Sequence, residues 1–194
     1  MGLIETMGSP PLIEALAAQL CADCALAGTW EEARSYALQA LENRTDYFIP
    51  SMKLTLWYET DALVRAGEIE RATEDVRRYG ERIGTSRRYR ISHLRALAVL
   101  AENLGEVDTA IEHLQEAAQL AEVIGLPGEL WLIQAAQGEM YLKRGEKAQA
   151  RSAFELAADI VQRLADSISD LGQRANFLAA LVIRQLFNHK EQLK

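Results

Sequence analysis

Leu104-Gly105-Glu106-Val107-Asp108-Thr109-Ala110 is the stretch that decides the fold. A glycine closes an apolar helical segment, and an alanine stands five residues past it at the start of a second one. The arrangement occurs three more times: Ala27-Gly28-Thr29-Trp30-Glu31-Glu32-Ala33, Ala66-Gly67-Glu68-Ile69-Glu70-Arg71-Ala72 and Arg144-Gly145-Glu146-Lys147-Ala148-Gln149-Ala150. The four glycines are 39, 38 and 40 residues apart, and the alanines keep the same intervals. A period held over four copies marks a chain built from repeated helix pairs. Glycine after a helix adopts the left-handed backbone conformation that ends it. The small alanine lets the second helix lie close against the first. Ala40, Ala117 and Ala157 stand seven residues further along the same stripe. Tyr79 holds that position in the second copy, so the packing there is expected to open locally. Thr29 and Glu32 have the spacing of a capping box.

The rest of the chain supports a helical reading. Of its 194 residues, 30 are alanine, and the four prolines stand at 10, 11, 50 and 127, leaving 51–126 and 128–194 uninterrupted. No alternating apolar run reads as a strand. Helices are expected over 11–27 and 30–43, 51–66 and 68–84, 87–104 and 106–124, then 128–144 and 146–168. A ninth is expected over 171–189, its stripe carried by Phe177, Leu178, Leu181, Val182 and Leu186. The chain then divides into an N-terminal extension (1–10), four helix-pair units (about 11–43, 50–84, 87–124 and 128–168) and a C-terminal capping helix and tail (169–194). Helix pairs of this kind bury their apolar faces by stacking on one another. The expected fold is all-α, with the last helix capping the open end of the stack.

The pattern resembles the tetratricopeptide repeat. The fourth copy carries the resemblance best, with Gly138, Tyr141, Gly145, Ala150, Phe154 and Ala157. The third carries it with Ala98, Ala101, Gly105, Ala110, Leu114 and Ala117, the first with Cys21, Cys24, Gly28 and Ala33, and the second with Thr60, Leu63, Gly67 and Ala72. The unit here is longer than the family's repeat of about 34 residues. In that respect the chain is similar to the helical arms of bacterial signal-transduction ATPases and maltose-activator-like transcription regulators. The stretches Ile124–Trp131 and Leu164–Asp170, followed by Arg174 and Phe177-Leu178, carry that closer likeness. The resemblance implies a right-handed superhelical solenoid and a scaffold for protein binding in signal transduction or transcription regulation; two cysteines cannot make a disulfide framework, so a reducing cytoplasm is expected. Its groove would take a partner segment or a small inducer. The first unit has Ala15, Ala18 and Ala22 where relatives that hold acidic chaperone tails carry Lys and Asn. That class of partner is therefore not expected.

No residues form a catalytic constellation. The chain has no Gly-x-Ser-x-Gly elbow, no His-Glu-x-x-His, and no glycine-rich phosphate loop. An enzyme, a cofactor and a metal site are not expected. Cys21 and Cys24 form the only cysteine pair, and their i, i+3 spacing on an apolar helix reads as packing. No apolar stretch approaches the roughly 18 residues of a membrane span, so no membrane partner is expected. Met1–Thr6 fits the loose myristoylation pattern.

What remains is surface. Repeat register places Trp57, Asp61 and Arg65 on the first helix of the second unit, facing the concave side. Arg95, Val99, Glu102 and Asn103 follow from the third unit, and Glu139 and Lys143 from the fourth. These residues line a groove for an extended peptide or partner helix, or they are a solvated face. Trp57, Tyr58, Trp131 and Tyr141 also suit packing. Arg77, Arg78, Arg82, Arg87, Arg88, Arg90 and Arg95 fall within 19 residues that contain one acid, Glu81. That run would hold an anionic partner, or acidic helices of the same chain neutralise it.

The net charge of −7 argues against nucleic acid as the main partner. It is strongly segregated: −6 over 1–64, +4 over 65–95, −8 over 96–142 and +3 over 143–194. A basic unit beside an acidic one favours attraction between units, or between copies in a homo-oligomer.

Overall fold

The computed structural model describes residues 10–44 and 53–193. The Met1–Thr6 pattern and the start of the expected 51–66 helix lie outside them. Ten helices and no strand occur among the described residues. They are α1 (Pro10–Ala27), α2 (Trp30–Glu42), α3 (Leu56–Arg65), α4 (Ile69–Arg82), α5 (Arg87–Asn103), α6 (Val107–Ile124), α7 (Pro127–Lys143), α8 (Lys147–Ser167), α9 (Leu171–Leu178) and α10 (Leu181–Gln192).

The four repeat glycines make the same turn. Gly28, Gly67, Gly105 and Gly145 have φ between 78° and 81°, a conformation that a Cβ disfavours. The next residue's amide reaches back to the carbonyl five residues earlier: Thr29 to Cys24, Glu68 to Leu63, Glu106 to Ala101 and Glu146 to Tyr141, each at 2.9 Å. That bond satisfies carbonyls left open by the helix end. At Thr29 it also decides the hydroxyl, which donates to the same Cys24 carbonyl at 3.3 Å. The expected Thr29–Glu32 capping box therefore does not form. Side-chain caps are supplied instead by Ser86 to the Tyr89 amide and Asp170 to the Gln173 amide.

Ala33, Ala72, Ala110 and Ala150 are all fully buried, as are Ala40, Ala117 and Ala157. Tyr79 is fully buried too, its ring centroid 6.2 Å from that of His93. An apolar cleft of about 370 Å³ opens between α4 and α5, lined by Val76, Gly80, His93, Leu97 and Leu100. Tyr79 does not line this cleft. Neighbouring helices pack in chain order, and α3 also packs on α5. Three large apolar clusters result, one centred on α1–α5, one on α5–α7 and one joining α7, α8 and the C-terminal helices, with a small fourth of Ala17, Ala18 and Ala40.

Two expectations are corrected. The single helix over 171–189 is two, α9 and α10, parted at Ala179-Ala180, where Ala180 is extended (φ −57°, ψ 140°). The bend brings Ile183 and Leu186 onto the third cluster and Leu181 against the first turn. A Cβ on Gly28 would lie 2.6 Å from Leu181 Cδ2. The C-terminal segment therefore packs on α8 and also touches α1. Second, α1 is long and apolar enough, by length and composition, to cross a membrane. Here Ala17, Cys21 and Ala22 are fully buried, and α1 packs on α2 and α3. Burial pushes the Cys21 thiol well above its ordinary range.

A buried ionic cluster ties the first two helix pairs together. Lys53 Nζ, 3% exposed, lies 3.1 Å from Glu14, 3.2 Å from Glu59 and 3.2 Å from Asp75. Arg44 adds a 2.6 Å contact to Asp75. Burial disfavours the Lys53 ammonium, but Glu59, Asp75 and Glu14 outweigh it and hold its pKa above the usual range. Burial lifts Glu59 from 4.5 to about 7, against the pull of Lys53 and with Asp75 adding to the rise.

Three carboxylates face two cations here, so a proton on Glu59 balances the cluster. The folded state retains that proton where the unfolded chain has released it. The resulting stabilisation is complete below about pH 4.5 and is lost as pH rises through about 7. The Glu59→Gln variant is expected to flatten this fall, and to exceed the parent in stability by on the order of 1–3 kcal/mol near pH 8. Urea titrations across that range check it; identical pH profiles would refute the assignment.

Candidate functional site

The register-matched residues divide into a packed group and an open group. Trp57 and Arg95 belong to the first, at 5% and 6% exposed. The Arg95 guanidinium carbon stands 3.4 Å from the Trp57 ring centroid. Its far side donates to Glu129 at 3.1 Å, and Arg88 donates to the other oxygen of Glu129 at 2.8 Å. Glu129 sits in the first turn of α7, where a carboxylate also suits the helix dipole. The stack Trp57–Arg95–Glu129 thus joins α3, α5 and α7. Tyr58 lies beside it, 5.0 Å from Trp57, and burial raises its pKa.

The open group is electrostatically joined. Arg65 donates to Asp61 at 3.0 Å and lies over the Trp30 ring at 3.9 Å. Lys143 of α7 pairs with Glu102 of α5. Burial raises the Asp61 carboxyl; Arg65 opposes the rise, Glu102 adds to it, and Lys143 lowers it. Glu139 is open to water yet crowded by protein, as in a recess. Desolvation raises its pKa, His189 of α10 lowers it, and Glu102 and Asp61 raise it further. Asp61, Glu102, Glu139 and Lys143 therefore act within one field, although they come from three units. Asn103 is exposed at the end of α5.

The arginine run meets acids of its own chain. Arg77 bonds Glu74 through two nitrogens at 2.7 Å and also pairs with Glu81. Arg90 reaches Glu116 of α6 at 3.0 and 3.3 Å. Arg88 and Arg95 share Glu129. Arg78 and Arg82 are engaged as well, and Arg87 is exposed at the start of α5. The contacts of Arg88, Arg90 and Arg95 lie within the third unit and between it and the fourth.

Register reasoning did not find Glu129, which lies in the turn of α7 nearest its N-terminus. It also missed His189, which enters from a helix outside the repeat. The charge pattern pointed to the first, since an arginine run ahead of a wholly acidic unit calls for acidic partners in that unit.

No protein-family model matches this chain, and a search of the curated proteins returns no match.

Proposed function

We propose that the chain is a non-enzymatic, cytoplasmic binding module: a tetratricopeptide-like solenoid whose first helices face a groove for a partner segment. The observation that carries the reading is the shared field of Asp61, Glu102, Glu139 and Lys143, drawn from α3, α5 and α7. Three carboxylates against Lys143 and Arg65 leave a negative surplus of one, and burial raises Asp61 and Glu139. A cationic side chain entering there would oppose that rise, as Arg65 and Lys143 do at Asp61. The partner is accordingly an extended segment presenting Lys or Arg, and the module serves as the arm of a signalling or transcription regulator. Intramolecular pairing of Arg77, Arg88, Arg90 and Arg95 favours this reading over an anionic partner.

Affinity capture with the parent chain and the Glu102→Gln/Glu139→Gln variant tests it. A partner retained by the parent and reduced about tenfold with the variant is the expected result. Equal recovery on both, or no reproducible partner, would sink it.

A further inference from the structure

The opposite side of α7 carries a different chemistry. A cleft of about 560 Å³ lies among α6, α7 and α8. Five glutamines line it: Gln115 and Gln119 on α6, Gln134 and Gln137 on α7, and Gln149 on α8. At 100° per residue, Gln137 and Glu139 project from nearly opposite sides of α7, so this cleft is separate from the carboxylate group. Gln137 is 5% exposed, and its amide makes no hydrogen bond to any described residue. Here that amide borders an open space. Gln115 is fixed by donating to the Tyr141 hydroxyl at 3.1 Å.

We propose that this cleft binds an extended peptide segment through its backbone. A carboxamide offers both donors and an acceptor, the complement of a peptide group. Gln115 and Gln119 are one turn apart, about 6 Å along the helix, close to the 6.6–6.8 Å or so between alternate residues of a strand. Gln134 and Gln137, three residues apart on α7, are neighbours on one helix face about 4.5 Å apart along the axis, and they add donors and acceptors on the other wall. Leu156, 52% exposed at the rim, with Ala118 and Ala153, accepts an apolar side chain. Glu122 is the single charged residue of the lining and favours a basic residue at one end. No Lys or Arg lines the cleft, and Glu122 repels a phosphate-bearing ligand.

A phage-displayed random 12-residue library, panned on the full chain, tests the proposal. The most enriched peptide is then titrated into ¹⁵N-labelled protein. The expected result is movement of the glutamine side-chain NH₂ signals, with at least tenfold weaker binding to Gln134→Leu/Gln137→Leu. N-methylation of the peptide backbone should weaken binding equally. Adenosine, titrated separately, should leave those signals in place. Failure to enrich any peptide would overturn the proposal. So would a peptide that leaves the glutamine signals unmoved, unchanged affinity after backbone N-methylation, or movement with adenosine alone. Peptides sensitive to Glu102→Gln/Glu139→Gln but not to the glutamine changes would support the carboxylate groove and overturn this one.

Discussion

Lys53→Met is expected to destabilise the fold by about 3–5 kcal/mol, the cost of leaving buried charges without their partner. Lys53 Nζ stands within 3.2 Å of carboxylates from three helices: Glu14 of α1, Glu59 of α3 and Asp75 of α4. Removing it leaves Arg44, which reaches Asp75 alone, and strips Glu14 of its cation, while Glu59 holds its proton more tightly. Methionine fills a similar volume, so the loss isolates the charge from the packing. With a shift of about 2–4 °C per kcal/mol for a chain of this size, the melting temperature should fall by roughly 6–20 °C. The Lys53→Met/Glu14→Met double variant should regain much of the loss, because one buried charge is withdrawn with its partner. Equilibrium urea unfolding at neutral pH measures both. A single variant within about 1 kcal/mol of the parent would mean that the cluster is hydrated rather than buried.

The difference between legible and illegible features follows from their range. The turns were legible because their causes are local: a glycine needs only its own φ, and an alanine five residues on needs only the adjoining helix. The ionic cluster was not, because Glu14, Lys53, Glu59 and Asp75 individually look like surface residues of amphipathic helices. Only the packing of α1 against α3 and of α3 against α4 brings them together. The break between α9 and α10 was hidden for a related reason. Ala179 and Ala180 favour helix, and no glycine or proline marks the site. Burial of Ile183 and Leu186, and the approach of Leu181 to Gly28, outweigh that local preference. For the candidate site, register located Asp61, Glu102, Glu139 and Lys143, which occupy corresponding helices. It misjudged the openness of Arg95, which covers Trp57, the aromatic whose residue type already suited packing. The cleft glutamines were passed over because a lone glutamine on a helix carries no pattern until neighbouring helices align several of them.

Phe154→Ala should cost about 3–5 kcal/mol as well, by a different route. The side chain is fully buried in the third cluster, and its ring meets the His189 ring edge-on at 5.0 Å. It lies against Gly138 of α7 so closely that a Cβ there would fall 2.7 Å from two ring carbons. One residue thus joins α7, α8 and α10, and its loss leaves a cavity bordered by all three. Gly138→Ala approaches the same contact from the other side. In a free helix it would gain about 1 kcal/mol, but the ring is held by its surroundings, so a net loss of about 1–3 kcal/mol is expected. Gly128→Ala is the control, since a Cβ there meets nothing within 4 Å. The Gly138→Ala/Phe154→Leu double variant should be less destabilised than the sum of its parts, because the smaller side chain vacates the space the new methyl needs. Hydrogen exchange adds a readout that total stability lacks. Phe154→Ala should speed exchange in α10 before it does so in α5 or α6, since α10 packs on α8 and loses its aromatic contact. Uniform acceleration along the chain, or additive behaviour of the double variant, would show that Gly138 and Phe154 do not form a common joint between the last helix pair and the C-terminal helix.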